Sequence, residues 1–211
     1  MKRMNWLLVC TLIALVFASG NVSVRAAGDR PDPSEVFIKR MSWAGTGCAP
    51  RTAVVRLAPD RTAFTLIFSN FLAEVGPEIP LSDARRNCQA NLTLQVPAGF
   101  TFAVASVDYR GFANIARGAK GMQKATYYFQ GDEPQASTWR VFKGPFNADW
   151  HLRDEVDQQF RIFRKCGVER SLNINAQVRL EKGSSDNSPS MMAMDSESIQ
   201  KYYIRWRACR E

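Results

Sequence analysis

Residues 87–111, NCQANLTLQVPAGFTFAVASVDYRG, decide the fold. From Cys88 the even positions read Cys88, Ala90, Leu92, Leu94 and Val96, while the odd ones read Gln89, Asn91, Thr93 and Gln95. Side chains alternate between the two faces of a strand, so this pattern predicts a strand with one dry and one wet face. Pro97-Ala98-Gly99 breaks the run with residues suited to a turn. The next segment, 100–107, is apolar at every phase, as expected for a central strand covered on both faces. It is expected to end at Asp108-Tyr109-Arg110-Gly111, where a carboxylate, a phenol and a guanidinium meet at a strand end, the kind of place where loops carry function. The plainer reading of that tetrad is an ion pair closing a loop.

Outward from this hairpin, similar patterns recur. Residues 36–43 read as a first strand, and 53–57 with 63–68 as a hairpin turned by Pro59-Asp60-Arg61. Gly76-Pro77 and Pro80 predict that 70–86 is irregular. Two glycines and a weak apolar period predict a loop over 113–124. Strands follow at 125–129, at 138–142 and within 148–159, the last with an acidic edge. In 172–180, Leu172, Ile174, Ala176, Val178 and Leu180 alternate with Asn173, Asn175, Gln177 and Arg179, the cleanest strand after the centre. Residues 181–190 form a polar loop, 191–194 a short strand, and 202–209 the last. About ten short strands with turns between them, and no internal repeat or linker, predict one antiparallel all-β sandwich.

The first 26 residues have the form of a signal peptide. Lys2 and Arg3 precede an apolar run over 6–17, about a dozen residues and too short to span a bilayer comfortably. Cleavage fits either after Ala26 or after Gly20. Residues 27–35 then read as a flexible polar lead-in and 36–211 as the exported domain, with no later membrane span. The formal net charge is +8. Removing 1–26 takes Lys2, Arg3 and Arg25 and lowers it to +5. That mild positive charge suits contact with anionic polymers. The basic residues are too scattered to argue for nucleic-acid binding. Arg205, Arg207 and Arg210 read as the solvated face of a strand.

Cys10 lies in the signal segment, which leaves Cys48, Cys88, Cys166 and Cys209. Four cysteines in an exported chain predict two disulfides, with three connectivities open. The favoured one pairs neighbours, Cys48 with Cys88 and Cys166 with Cys209, each closing a loop of about forty residues. There is no CxxC spacing of the kind that zinc or redox sites use. With a single histidine, His151, a histidine-rich metal site is excluded, and no cofactor is called for. The glycines of Gly45-Thr46-Gly47 lack the lysine and helix of a phosphate-binding loop.

Candidate binding residues are Asp108, Tyr109 and Arg110 in the tetrad, and the strand aromatics Tyr127, Trp139 and Trp150. A flat ring on a strand stacks well on a sugar face, and the competing role is filling the core. Asp154, Glu155 and Asp157 are an acidic cluster without the order of a calcium loop. Asp108 with Asp154 or Glu155 would be the pair for a carboxylate-dependent hydrolase. Asn91-Leu92-Thr93 is an N-glycosylation sequon.

Several spaced motifs, taken together, resemble a known family. They are Gly45-Thr46-Gly47-Cys48-Ala49-Pro50, Arg86-Asn87-Cys88-Gln89, Ser106-Val107-Asp108-Tyr109-Arg110-Gly111, Lys124-Ala125-Thr126-Tyr127-Tyr128-Phe129, Cys166-Gly167 with Leu172-Asn173-Ile174-Asn175, and Trp206-Arg207-Ala208-Cys209. In this order they resemble the exported family called domain of unknown function 4360, over about residues 36–209. The resemblance implies export and a disulfide-bearing β domain, and it transfers no activity. One departure is Ala49, where the family pattern has proline directly after the cysteine. The expected function is that of a secreted, non-catalytic β-sandwich binding polysaccharide or another cell-surface polymer. The alternatives are a carboxylate-dependent secreted hydrolase and a structural, envelope-associated protein.

Overall fold

The computed structural model describes residues 30–133, 135–156, 163–184, 188–194 and 199–210. The expected signal peptide lies outside them, as does Asp157. Twelve strands are formed among the described residues. They are β1 Phe37–Ala44, β2 Ala53–Leu57, β3 Ala63–Phe68, β4 Phe71–Val75, β5 Arg85–Gln95 and β6 Phe100–Ile115. The rest are β7 Lys120–Phe129, β8 Ala136–Lys143, β9 Phe146–Glu155, β10 Leu172–Glu181, β11 Ser190–Met194 and β12 Ile199–Ala208. Short 3-10 turns occupy Pro33–Glu35 and Leu81–Ala84. No helix among the described residues is long and apolar enough to cross a membrane.

The strands make two antiparallel sheets. One has the order β1-β5-β10-β7-β8, and the other β2-β3-β12-β6-β11-β4 with β9 on the free side of β6. Their inner faces supply one core. Cys88, Ala90, Leu92 and Leu94 of β5 meet the Leu172–Leu180 alternation of β10 there, both as expected. From the other sheet come Phe64, Leu66 and Phe68 of β3 and Tyr202, Ile204 and Trp206 of β12. Phe64 and Tyr202 stack at 4.9 Å, and Phe102 meets Phe129 edge-on across the sheets at 5.2 Å. Offset and edge-on contacts are the favourable aromatic geometries.

Cys48 is bonded to Cys88 and Cys166 to Cys209. The first holds the 45–50 loop on the start of β5, where the Gly47 N–H also donates to the Asn87 carbonyl at 2.9 Å. A Cβ on Gly47 would fall 2.6 Å from the Phe71 ring, so close packing requires glycine here. The second disulfide ties the segment after residue 163 to the end of β12. That segment runs beside the edge of β6 away from β12, where the Arg164 N–H donates to the Phe102 carbonyl at 3.0 Å, the Thr101 hydroxyl donates to the Arg164 carbonyl and the Arg164 guanidinium donates to the Phe100 carbonyl at 3.2 Å.

Three expectations are corrected. Residues 70–86 are not wholly irregular, because 71–75 pair with β11 as β4. Residues 113–124 are not a loop, because β6 continues to Ile115 and β7 begins at Lys120. The Asp108-Tyr109-Arg110-Gly111 tetrad therefore sits inside a 16-residue strand and not at its end. Gly111 belongs there because the Trp150 ring covers it: a Cβ would lie 2.4 Å from Trp150 Cζ2 and 2.1 Å from the Ala193 carbonyl oxygen.

Candidate functional site

The outer face of the five-stranded sheet is built from the wet positions of β5, β10, β7 and β8. Register aligns them in rows. Asn91, Asn173 and Tyr128 form one, Gln89, Asn175, Thr126 and Ser137 the next, and Asn87, Gln177, Lys124 and Trp139 a third. Within the rows, Asn91 Nδ2 donates to Asn173 Oδ1 at 2.8 Å, and the Thr126 and Ser137 hydroxyls are 2.8 Å apart. A shallow depression of about 430 Å³ lies on this face, lined by Arg85, Asn87, Lys124, Thr126, Asn175 and Gln177 among others. Each amide offers both donors and acceptors, the pattern that hydroxyl-rich ligands match. Trp139, directly opposite Lys124 on the edge strand β8, is 60% exposed. Val141 extends the apolar stripe along β8 and is also exposed.

The other predicted aromatics are elsewhere. Tyr109, Tyr127 and Trp150 point between the sheets and are buried, so none has a ring face open to a ligand. Burial pushes the Tyr109 phenol well above its ordinary range, against a weak 3.3 Å hydrogen bond with Thr138. Burial, aided by the nearby Asp154 charge, pushes Tyr127 up to about 12. Asn91, the sequon residue, stands on the amide face with its Nδ2 engaged by Asn173, and Thr93 of the sequon is fully buried.

Asp108 and Arg110 stand on the opposite side of the molecule, on the outer face of the seven-stranded sheet. Strand alternation separates them from Tyr109. Asp108 accepts from Arg153 at 2.9 Å and from the Tyr203 hydroxyl at 3.0 Å. Arg153 also donates to Glu155 at 2.9 Å and to Ser106 at 3.2 Å, and lies over the Tyr203 ring. The Glu155, Tyr203 and Asp108 partners hold its guanidinium firmly charged. Asp154 faces the other way: it pairs in register with Val107, is buried between the sheets, and accepts from Arg140 at 2.9 Å. Asp108 and Asp154 thus lie on opposite faces of one sheet and cannot flank one glycosidic bond. Asp108 and Glu155 share a face, and both are tied to one guanidinium. His151 is exposed opposite Arg110. Among the described residues no three His, Cys, Asp or Glu side chains converge as metal ligands.

The residues that sequence reasoning passed over are Tyr128 and the amides Asn87, Asn175 and Gln177. Their signal was present as the wet alternation of 87–95 and 172–180. What was lacking was the knowledge that these two strands are neighbours.

Compared with known proteins, residues 34–209 match the model of a family described as a domain of unknown function (DUF4360). The chain is 40% identical over 185 residues to a protein of Arthroderma benhamiae named "Uncharacterized secreted protein", covering 86% of this chain and 75% of that one. Among solved structures it is similar to TmCBM61 in complex with beta-1,4-galactotriose, with 13% identity and a TM-score of 0.31, over 82% of this chain and 90% of that one. It is also similar to the enzymatically active domain of tailspike protein 4 of bacteriophage CBA120, with 13% identity and a TM-score of 0.25, over 81% of this chain and 19% of that one. At such scores neither structure speaks for this chain's ligand.

Proposed function

The chain belongs to the DUF4360 family and is secreted, and from that premise we propose that it is a non-catalytic module that binds polysaccharide on the outer face of its five-stranded sheet. The observation that carries this reading is the combination of an amide- and hydroxyl-lined depression with an exposed tryptophan beside it. The indole offers a flat apolar surface for the C–H face of a sugar ring. Asn87, Asn175 and Gln177 offer paired donors and acceptors for neighbouring hydroxyls. Arg85 and Lys124 add donors that tolerate neutral or acidic sugars. An open, strand-crossing face suits an extended chain better than a small molecule, which favours enclosing pockets. Secretion places the protein where such polymers occur.

The test is retention of the oxidised mature protein on a panel of insoluble polysaccharides at low and high salt. Stacking and amide hydrogen bonds are little screened by salt, whereas attraction of a cationic protein to an anionic matrix is strongly screened. Retention that survives high salt and is lost in Trp139→Ala supports the reading. Retention lost at high salt, retained by Trp139→Ala, or absent on every polymer overturns it.

A further inference from the structure

The geometry points to a second, separate site at the C-terminal end of β12, which binds the acid groups of an anionic polysaccharide. A depression of about 770 Å³ opens there, lined by Phe163, Arg205, Arg207, Arg210 and the Cys166–Cys209 disulfide. Arg205 and Arg207 are two residues apart on β12, so both stand on the outer face of the seven-stranded sheet. Arg210 follows from the chain end just beyond. All three are exposed, and among the described residues none is hydrogen-bonded or ion-paired to a carboxylate.

Other arginines are matched to carboxylates: on the same face Arg153 is bonded to Asp108 and Glu155, and on the five-stranded sheet Arg140 is bonded to Asp154 and Arg86 to Asp83. Three like charges converging on one hollow repel one another, and without an acidic partner the arrangement gains nothing for the fold. An anion in the hollow would relieve the repulsion.

The hollow also has a wall and a fixed cation. The Arg207 guanidinium stacks 3.8 Å over the Phe163 ring. Stacking holds its plane while leaving its in-plane N–H edge free for a bidentate acid group. The wall is anchored from behind. The disulfide holds Cys166, and buried Arg164 donates to the Val168 and Phe100 carbonyls. Thr101, the cross-strand partner of Arg207, donates to the Arg164 carbonyl. A planar carboxylate or a sulfate matches such forks, and repeated acid groups along one polymer would engage several arginines at once. For a secreted protein, a uronate or sulfated glycan chain is the available polymer of that chemistry.

The test is affinity electrophoresis of the mature protein through gels holding polygalacturonate, dextran sulfate, neutral dextran or polyuridylate, at one ionic strength near physiological. The variants are Arg205→Ala/Arg207→Ala and, as a control of equal charge loss at the far end of β6, Arg117→Ala/Lys143→Ala. Near-UV circular dichroism verifies that both are folded. The acidic glycans are expected to retard the wild type, the arginine pair to weaken this about tenfold or more, and the control pair to leave it unchanged. Equal losses in both pairs would reduce the effect to net charge and overturn the site. No retardation by either acidic glycan, or tighter binding of polyuridylate than of both, would overturn it as well. Trp139→Ala leaves this retardation intact, so failure here is distinguishable from failure of the amide face.

Discussion

Asp108 and Arg153 are cross-strand partners of β6 and β9, joined at 2.9 Å, and the same carboxylate accepts from Tyr203 on the opposite neighbour, β12. One side chain thus links three adjacent strands on the outer face. Its side chain is only 14% exposed, so the contact is shielded more than an ordinary surface pair. These contacts predict a structural role. Asp108→Asn keeps an acceptor for Tyr203 but loses the charge facing Arg153. The expected outcome is a lower midpoint of urea unfolding with an unchanged slope, and unchanged retention on polysaccharide. Loss of retention with normal stability would move the binding face to this side of the molecule.

Tyr127 is buried beside Asp154, and its hydroxyl has no hydrogen-bond partner among the described residues. A buried hydroxyl without a partner costs free energy that phenylalanine does not, so Tyr127→Phe should be neutral or stabilise the fold by about 1 kcal/mol. The phenol also shapes the alkaline limit. An unfolded tyrosine loses its proton near pH 10, whereas Tyr127 holds its own up to about 12, and burial raises Tyr109 and Tyr202 as well. Above pH 10 the folded state therefore binds more protons than the unfolded one. Stability is full below pH 10 and falls as pH rises toward the folded values. Paired titrations by tyrosinate absorbance and far-UV circular dichroism should show these phenols ionising together with unfolding. Tyr127→Phe should make the fall shallower, and an unchanged fall would contradict the assignment.

The strands that were legible in advance are those with one dry face. β5 and β10 alternate cleanly because the core lies on one side and water on the other. β6 does not, for two physical reasons. Ala105 is skipped in the pairing with β12, where Tyr203 faces Ser106 and Ile204 faces Val104. Such a bulge shifts the inward phase, from Phe102 and Val104 to Val107 and Tyr109. Thr101 and Ala103 are also buried, Thr101 with its hydroxyl bonded to the Arg164 carbonyl. Together these make 100–107 read as apolar throughout. The site was less legible than the fold. Tyr127 and Tyr128 are adjacent, and only strand pairing decides which faces out. β8 has apolar residues at both phases, with Trp139 and Val141 on one and Phe142 on the other, so its periodicity cannot say that the tryptophan is the exposed one.

Trp139 carries the third prediction. It is exposed on an edge strand, so Trp139→Ala removes little packing and should leave the unfolding midpoint nearly unchanged. If its indole is a stacking platform, the same change weakens polysaccharide binding about tenfold, or ~1.4 kcal/mol. Trp139→Phe, which keeps a smaller flat ring, should recover part of the affinity. Asn175→Ala with Gln177→Ala should weaken binding on the same polymer, because Gln177 shares the row of Trp139 and Asn175 stands in the next one. A loss on Trp139→Ala without any loss in the amide pair would reduce the site to non-specific contact with an exposed ring.

The two disulfides should separate in their consequences. They join residues 40 and 43 apart in sequence, so in the chain-entropy account each constrains the unfolded chain by a similar amount, about 4 kcal/mol. Replacing either pair by alanine should lower stability by a comparable margin in equilibrium denaturation. Their local effects differ. Cys88 borders the amide depression, and Cys48 holds the 45–50 loop against the start of β5. Cys166 and Cys209 border the arginine hollow and hold its Phe163 wall against β12. Cys166→Ala/Cys209→Ala should therefore weaken retardation by polygalacturonate while preserving retention on neutral polysaccharide. Cys48→Ala/Cys88→Ala should preserve the former. Measured at a temperature where both variants are fully folded, parallel losses of both activities in both variants would show that the disulfides act through global stability alone.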